Sequence, residues 1–281
     1  MVGKICLITG ASSGIGQVTA LELARMGATV VMLVRSRERG EAARQAIITQ
    51  TGNQQVELLV ADLASFASVR AAAQELRSRH QRLDLLLNNA GLYMGQRQLS
   101  SDGFEMTFAV NHLAHFLLTN LLLDLLKASG PSRVVHVSSD AHLGGSNRFD
   151  DVRAARGYSG FRAYADSKLA NVLFTYELAR RLEGSGVTAN ALHPGAVRTN
   201  FAVETAGLFG VLFGLVRPLM LSPEQGARTS IYLASSPEVA TVSGSYFVNC
   251  RPRKSSPNSY DRTAQSRLWA LSEELTGTPA L

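Results

Sequence analysis

From Lys4 to Cys250 the chain alternates short apolar runs with longer amphipathic stretches, and this alternation constrains the fold more than any single motif. KICLIT, ATVVMLVR, VELLVADL, LDLLLNNAG, RVVHVSS, VTANALHPG and GSYFVNC read as strands, with GSYFVNC as the last. GIGQVTALELARMG, RERGEAARQAII, SVRAAAQELRSRH, the long stretch FEMTFAVNHLAHFLLTNLLLDLLKASG, Ala163 to Glu183, PEQGARTSIYLA and AQSRLWALSEEL read as helices. Near-continuous Val/Leu/Ile strands are buried on both faces. Strands separated by helices imply right-handed crossovers and a parallel sheet. No linker, repeat or low-complexity segment divides the 281 residues. The expected fold class is therefore α/β: a single doubly wound domain, residues 1–281, with a parallel sheet flanked by helices. The stretch from about Phe201 to Leu221 breaks the alternation and is expected to form a substrate lid.

Composition narrows the function classes. Hydrophobic residues make up 46% and charged residues 18%, enough apolar material for a sizeable core. The net charge of +6 suits an anionic ligand. The arginines are scattered, apart from a loose group between Arg251 and Arg267, which argues against nucleic acid. Cys6 and Cys250 read as small packing residues, so a reduced, intracellular setting is expected. The first strand starts almost at Met1, so no signal peptide is expected. Ala206 to Leu221 is apolar but interrupted by Arg217 and Pro218, and shorter than the roughly 20 residues a bilayer span needs.

The segment TGASSGIG, Thr9 to Gly16, joins the first strand to the first helix. Gly10 permits a tight turn, Gly14 lets backbone approach a pyrophosphate, and Gly16 lets the helix pack closely. With Ser12, Ser13 and Ile15 these residues would offer the N–H groups of a helix N-terminus to phosphates. The second strand ends in Arg35, where an acidic residue would select NAD; a guanidinium there grips a 2′-phosphate, so NADP(H) is expected. Tyr164 and Lys168 are four residues apart on one helix face. A free tyrosine titrates near pH 10, and a neighbouring ammonium and a nicotinium charge would favour the phenolate, toward the working range for proton transfer. His112 and His115 are also spaced for one face, but no cysteine or acidic ligand accompanies them at metal spacing, so no metal is expected.

The TGxxxGxG spacing resembles the short-chain dehydrogenase/reductase family, and so, in order, do NNAG at Asn88 to Gly91, Asn111, VSS at Val137 to Ser139, YADSK at Tyr164 to Lys168, and HPGAVRT at His193 to Thr199. The resemblance covers nearly the whole chain and implies a Rossmann-type domain. It implies catalytic roles for Asn111, Ser139, Tyr164 and Lys168: Ser139, rather than Ser138, bonding the substrate oxygen, Tyr164 exchanging its proton, Lys168 holding the nicotinamide ribose, and Asn111 holding a relay water. It further implies that Arg39 assists Arg35, that Asp62 and Leu63 flank the adenine, and that Asn89, Ala90 and Gly91 line the cofactor. The turn from Pro194 through Gly195 to Val197, with the Thr199 hydroxyl, would sit beside the nicotinamide amide and the phosphates.

DGFEMTFAVNHLAHFLLTNLLLDLLK, PSRVVHVSSDAH, AYADSKLANVLFTYELARRLEGSGVT and HPGAVRT resemble the retinol dehydrogenase branch, which interconverts lipophilic alcohols and aldehydes. Leu208, Phe209, Val211, Leu212, Phe213 and Leu215 would then form a lid over an apolar tail; a core helix or an oligomer contact is the alternative. Many animal members carry an N-terminal membrane anchor that this sequence lacks, so a cytoplasmic protein with at most peripheral membrane contact is expected. Pairing of copies through the long helices is also open on this resemblance. Two other readings stand beside it. Light-dependent protochlorophyllide reductases share the NHLGHFLL-like helix, but carry a cysteine where this chain has Ala196. A non-catalytic NADP(H)-sensing protein would not need Asn111, Ser139, Tyr164 and Lys168 together.

Overall fold

The computed structural model describes residues 1–147, 149, 151–152, 154, 157–197 and 220–278. Its strands are β1 (Ile5–Thr9), β2 (Thr29–Val34), β3 (Val56–Val60), β4 (Leu85–Asn88), β5 (Ser132–Val137), β6 (Val187–His193), β7 (Ser245–Val248) and β8 (Arg251–Arg253). They form one eight-stranded sheet in the order β3-β2-β1-β4-β5-β6-β7-β8. All neighbours pair in parallel except β7 and β8. The helices are α1 (Gly14–Arg25), α2 (Arg37–Thr51), α3 (Phe66–Arg79), α4 (Met106–Leu121), α5 (Leu123–Ser129), α6 (Gly160–Arg181), α7 (Pro223–Ser235) and α8 (Arg262–Thr276).

Two sequence expectations need correction. GSYFVNC is not the last strand, because β8 follows it through a turn at Asn249 and Cys250, both at positive φ (51° and 60°). That conformation suits a two-residue hairpin, and the polar run RPRK hides the strand because Pro252 is tolerated only on an edge. The long helix is also broken: α4 and α5 meet at a 56° bend. LLLDLL is apolar on every side, so its periodicity gives no break. The bend brings α5 back under the sheet, where Leu83 N donates to Leu125 O at 3.0 Å. Among the described residues no single helix is long and apolar enough to cross a membrane.

Helices cover both faces of the sheet. On one face α1, α2 and α7 pack against Cys6, Ile8, Val30, Met32 and Phe247. On the other, α3, α4, α6 and α8 surround Leu7, Val31, Leu86 and Val134. The last helix belongs to this core. Trp269 lies 5.0 Å from the Phe116 ring and 5.6 Å from Phe174, with the Arg181 guanidinium 4.3 Å from its own ring. A face of α4 and α6 is thus occupied by α8 of the same chain.

The same layer buries three histidines, His112, His115 and His136, all at 1% exposure or less. His112 donates from Nε2 to Ser272 Oγ (2.8 Å), because that hydroxyl gives its own hydrogen to Leu268 O. Burial pushes His112 and His115 each down to about 3, and His136 well below its ordinary value. These rings fold neutral, whereas in the unfolded chain they take up protons below about pH 6.5. The stability they contribute is complete above pH 6.5 and is lost as pH falls toward 3. Three protons taken up on unfolding correspond to a loss of roughly 4 kcal/mol per pH unit near pH 5. Urea unfolding at pH 7 and pH 5 should therefore show a markedly lower midpoint at pH 5; equal midpoints would contradict the burial of neutral imidazoles.

Candidate active site

The parallel strands point one set of C-terminal ends at a single edge of the sheet, and crossovers diverge there between β1 and β4. Crevices at such switch points are where open α/β sheets bind ligands. The phosphate-loop residues gather at the end of β1. Gly10 (φ 67°) is in the left-handed region. A methyl group on Gly16 would stand 2.4 Å from Gly10 O and 2.5 Å from Asn89 Nδ2, so only glycine lets α1 approach this closely. Ser36, Ser65, Ser159, Ser222 and Asp261 cap the helices they precede. Ser13 makes no side-chain cap for α1, and that helix has no acidic residue in its first turn. Its first N–H groups remain open to an anion.

Asn89 and Ala90 are tied to this loop through Thr9, a residue that sequence reasoning passed over. Thr9 Oγ1 accepts from Asn89 N and Ala90 N, both at 2.9 Å, and Asn89 Nδ2 donates to Thr9 O at 2.8 Å. The Thr9 hydroxyl then donates to His115 Nε2 (3.1 Å), while His115 Nδ1 donates to Asn111 O (3.1 Å). One neutral histidine thereby connects the phosphate loop to the helix carrying Asn111. His112 and His115 bond different partners despite sharing a helix.

Asn111 lies in a π-helical stretch of α4, Ala109–Leu113, a distortion frequent at functional sites. Its Oδ1 accepts from Leu92 N (2.8 Å), and its Nδ2 donates to Leu92 O (3.0 Å) and Ser167 Oγ (3.0 Å). The amide is a clip between the β4 loop and α6, through Ser167, a residue within YADSK that the motif itself gives no role. Across the gap left by Gly91, a built methyl group would lie 3.3 Å from Lys168 Nζ and 3.4 Å from Asn111 Oδ1.

Tyr164 and Lys168 share the inner face of α6. Lys168 Nζ donates to Val137 O at 2.9 Å and sits 5.6 Å from the Tyr164 ring centroid. Ser138 Oγ donates to Lys168 O at 2.8 Å, which occupies it with structure. Ser139 is the serine that hydrogen-bonds the Tyr164 phenol. Burial lowers Lys168 to about 8 and raises Tyr164 to about 12, against the opposing pull of the Ser139 bond. In the chain alone, with no nicotinium charge beside it, the phenol is thus held protonated, because desolvation of the phenolate is the largest effect. Tyr93 packs edge-on against Tyr164, ring centroids 6.0 Å apart.

The remaining sequence-predicted residues line the same edge. Arg35 is exposed at the end of β2 and, among the described residues, has no carboxylate partner; Arg39 is exposed in the first turn of α2. Asp62 accepts from Ala64 N in its own turn (2.9 Å), and Leu63 is buried beside it. Beyond β6, Val197 packs against Ile15 and Ala227, bringing the Pro194–Val197 turn to the first helix. Thr199 and all of the 201–221 stretch except Met220 and Leu221 lie outside the described residues. Leu221 N donates to Ala196 O at 2.8 Å.

Comparison with known proteins agrees with this geometry. The family model for short chain dehydrogenases matches residues 4–206. The chain is 50% identical over 295 residues to retinol dehydrogenase 14 of Homo sapiens, covering 99% of this chain and 87% of that protein. It is 47% identical to retinol dehydrogenase 13 of Homo sapiens, covering 99% and 86%. Among solved structures, an uncharacterized protein from Mycobacterium Paratuberculosis superposes with a TM-score of 0.81 at 40% identity, covering 99% of this chain and 96% of that one. The Pseudomonas aeruginosa RhlG/NADP active-site complex does so with a TM-score of 0.70 at 28% identity, covering 88% and 94%. The fold, the phosphate loop, the Tyr164–Lys168 pair and these relatives lead to one assignment: the chain is an oxidoreductase-type member of the short chain dehydrogenase family.

Proposed function

We propose that this chain is an NADP(H)-dependent oxidoreductase that interconverts a lipophilic aldehyde or ketone, retinal-like in character, with the corresponding alcohol. The observation that carries the reading is the convergence of the Ser139 hydroxyl, the Tyr164 phenol and the buried Lys168 ammonium at one sheet edge, beside an uncapped helix N-terminus. The residues present fit the cofactor: glycines 10 and 16 let the loop turn tightly and α1 pack close, which presents its uncapped N-terminus to a pyrophosphate, and Arg35 supplies a cation for a 2′-phosphate. A bound nicotinamide would supply or receive the hydride. Ser139 donates a hydrogen bond to the substrate oxygen, and Tyr164, protonated at neutral pH, delivers its proton to that oxygen. Lys168 keeps positive charge beside the phenol and the cofactor ribose.

A lipophilic substrate is supported by the rim. Leu143 and Phe161 are 60% and 53% exposed, close to Ser139 and Tyr164 in sequence, and a methyl group on Gly144 would touch the Phe161 ring at 3.6 Å. The 201–221 stretch is proposed as the cover of the apolar tail. Cytoplasmic residence with peripheral membrane contact is proposed with it, and the state of assembly is left to measurement. Cofactor choice is testable directly. Arg35→Ala should weaken NADPH binding about tenfold or more, as loss of a charge-assisted phosphate contact, and leave NADH binding nearly unchanged. Fluorescence titration with both cofactors checks this, and equal binding of NADH and NADPH by the parent chain would overturn the assignment of NADP(H).

A further inference from the structure

We infer that His142 is a positioning residue that locks the backbone of Ser139 to the C-terminal segment of the chain. The inference rests on the catalytic reading of Ser139 given above. His142 lies three residues after Ser139 and is 1% exposed. Its Nδ1 lies 2.7 Å from Ser139 O, and its Nε2 lies 3.0 Å from Ser256 N. A backbone N–H can only donate, so Nε2 accepts from Ser256 and the hydrogen sits on Nδ1, donating to the Ser139 carbonyl. A neutral imidazole thus joins two backbones that lie 117 residues apart, from Ser139 to Ser256. Protonation of the ring would set two donors face to face at Ser256, and burial opposes it by lowering the affinity of His142 for a proton.

Both ends of this link are braced. Tyr246 of β7 packs at a tilt against the His142 ring, centroids 4.8 Å apart, and its hydroxyl donates to Asp140 Oδ1 at 3.1 Å. Asp140 N in turn donates to His193 Nδ1 at 3.2 Å, which ties the serine loop to the turn after β6. On the far side Ser255 Oγ lies 2.6 Å from Tyr176 OH and 2.7 Å from Ser259 Oγ, and Gln265 of α8 donates to Ser259 O at 2.8 Å. The Ser139 hydroxyl, which must meet both phenol and substrate oxygen, therefore takes its position from a chain of contacts running to α8. Errors of about an ångström in such placement cost orders of magnitude in rate.

His142→Phe keeps a ring for Tyr246 and removes both hydrogen bonds; His142→Asn keeps a donor near the Nδ1 position, and His142→Gln moves the amide toward the Nε2 position. With NADPH and retinal, His142→Phe should lower kcat at least about tenfold while KM stays within about threefold, and His142→Asn should recover most of the loss. Amide exchange at Ser256, followed by mass spectrometry, should be slow in the parent chain and fast in His142→Phe. A folded His142→Phe with parental kcat, or fast Ser256 exchange in the parent, overturns the inference. If His142→Phe does not fold, equal kcat for His142→Asn and His142→Gln overturns it, and a clear advantage of Asn supports it. Ser139→Ala and Tyr164→Phe are measured alongside. If those two keep parental rates, the catalytic reading itself fails, and the inference with it; if they lose turnover and the His142 variants do not, only the positioning role fails.

Discussion

Replacing Tyr164 by phenylalanine is expected to lower kcat about a thousandfold while the NADPH dissociation constant stays within about threefold. The substitution removes one oxygen and leaves the ring packed edge-on against Tyr93. With the ring still in place, the fold and the phosphate loop are expected to be unchanged. What is lost is the proton, held on the phenol by burial that raises its titration to about 12. Neither neighbour replaces it. Ser139 is too weak an acid, and the Lys168 ammonium is anchored on Val137 O, 5.6 Å from the Tyr164 ring centroid. Initial rates of NADPH loss with retinal, beside a cofactor titration, check both halves. A variant with a rate within tenfold of the parent would remove Tyr164 from the proton path.

Trp269→Ala is expected to destabilise the folded chain by about 3–5 kcal/mol, the usual cost of emptying a large aromatic site from a close-packed core. Trp269 is 2% exposed, wedged against Phe116 of α4 and Phe174 of α6, and its Nε1 donates to Glu273 Oε1 at 2.7 Å. The neighbours that would have to collapse into the space are themselves held, Phe174 by His136 at 4.8 Å and α8 by the His112–Ser272 bond. Relaxation is therefore limited and the cost falls at the upper part of the range. Urea unfolding measures it. A loss under about 1 kcal/mol would show that α8 is an appendage and not part of the core.

The sheet was legible because its strands are apolar runs separated by helices, a pattern that depends on burial alone. The bend at Leu122 was not, since an all-apolar stretch carries no phase to mark where a helix turns. The edge strand β8 was hidden by its own chemistry, as arginines and a proline belong on an edge and resemble a loop. At the site, Tyr164, Lys168, Ser139 and the phosphate-loop glycines were readable because each sits within a short motif. Thr9, His115, Ser167 and His142 were not, because their partners lie on distant elements: His115 bonds Thr9 from 106 residues away, and His142 bonds Ser256 from 114. Spacing along the chain carries no signal for contacts of that kind. Desolvation of the Tyr164 phenol was not readable either, since a neighbouring lysine is visible in sequence and the packing around the phenol is not.

Hydride transfer between a nicotinamide and a lipophilic carbonyl at this edge of the sheet is tested by labelling. The purified chain is incubated with retinal and NADPH bearing deuterium at both C4 positions, and the product is weighed by mass spectrometry. Retinol carrying one deuterium is expected from the parent chain and almost none from Tyr164→Phe. Tight NADPH binding with no labelled alcohol, from retinal or from a straight-chain aldehyde, would contradict it and leave a chain that binds the cofactor without performing the reaction.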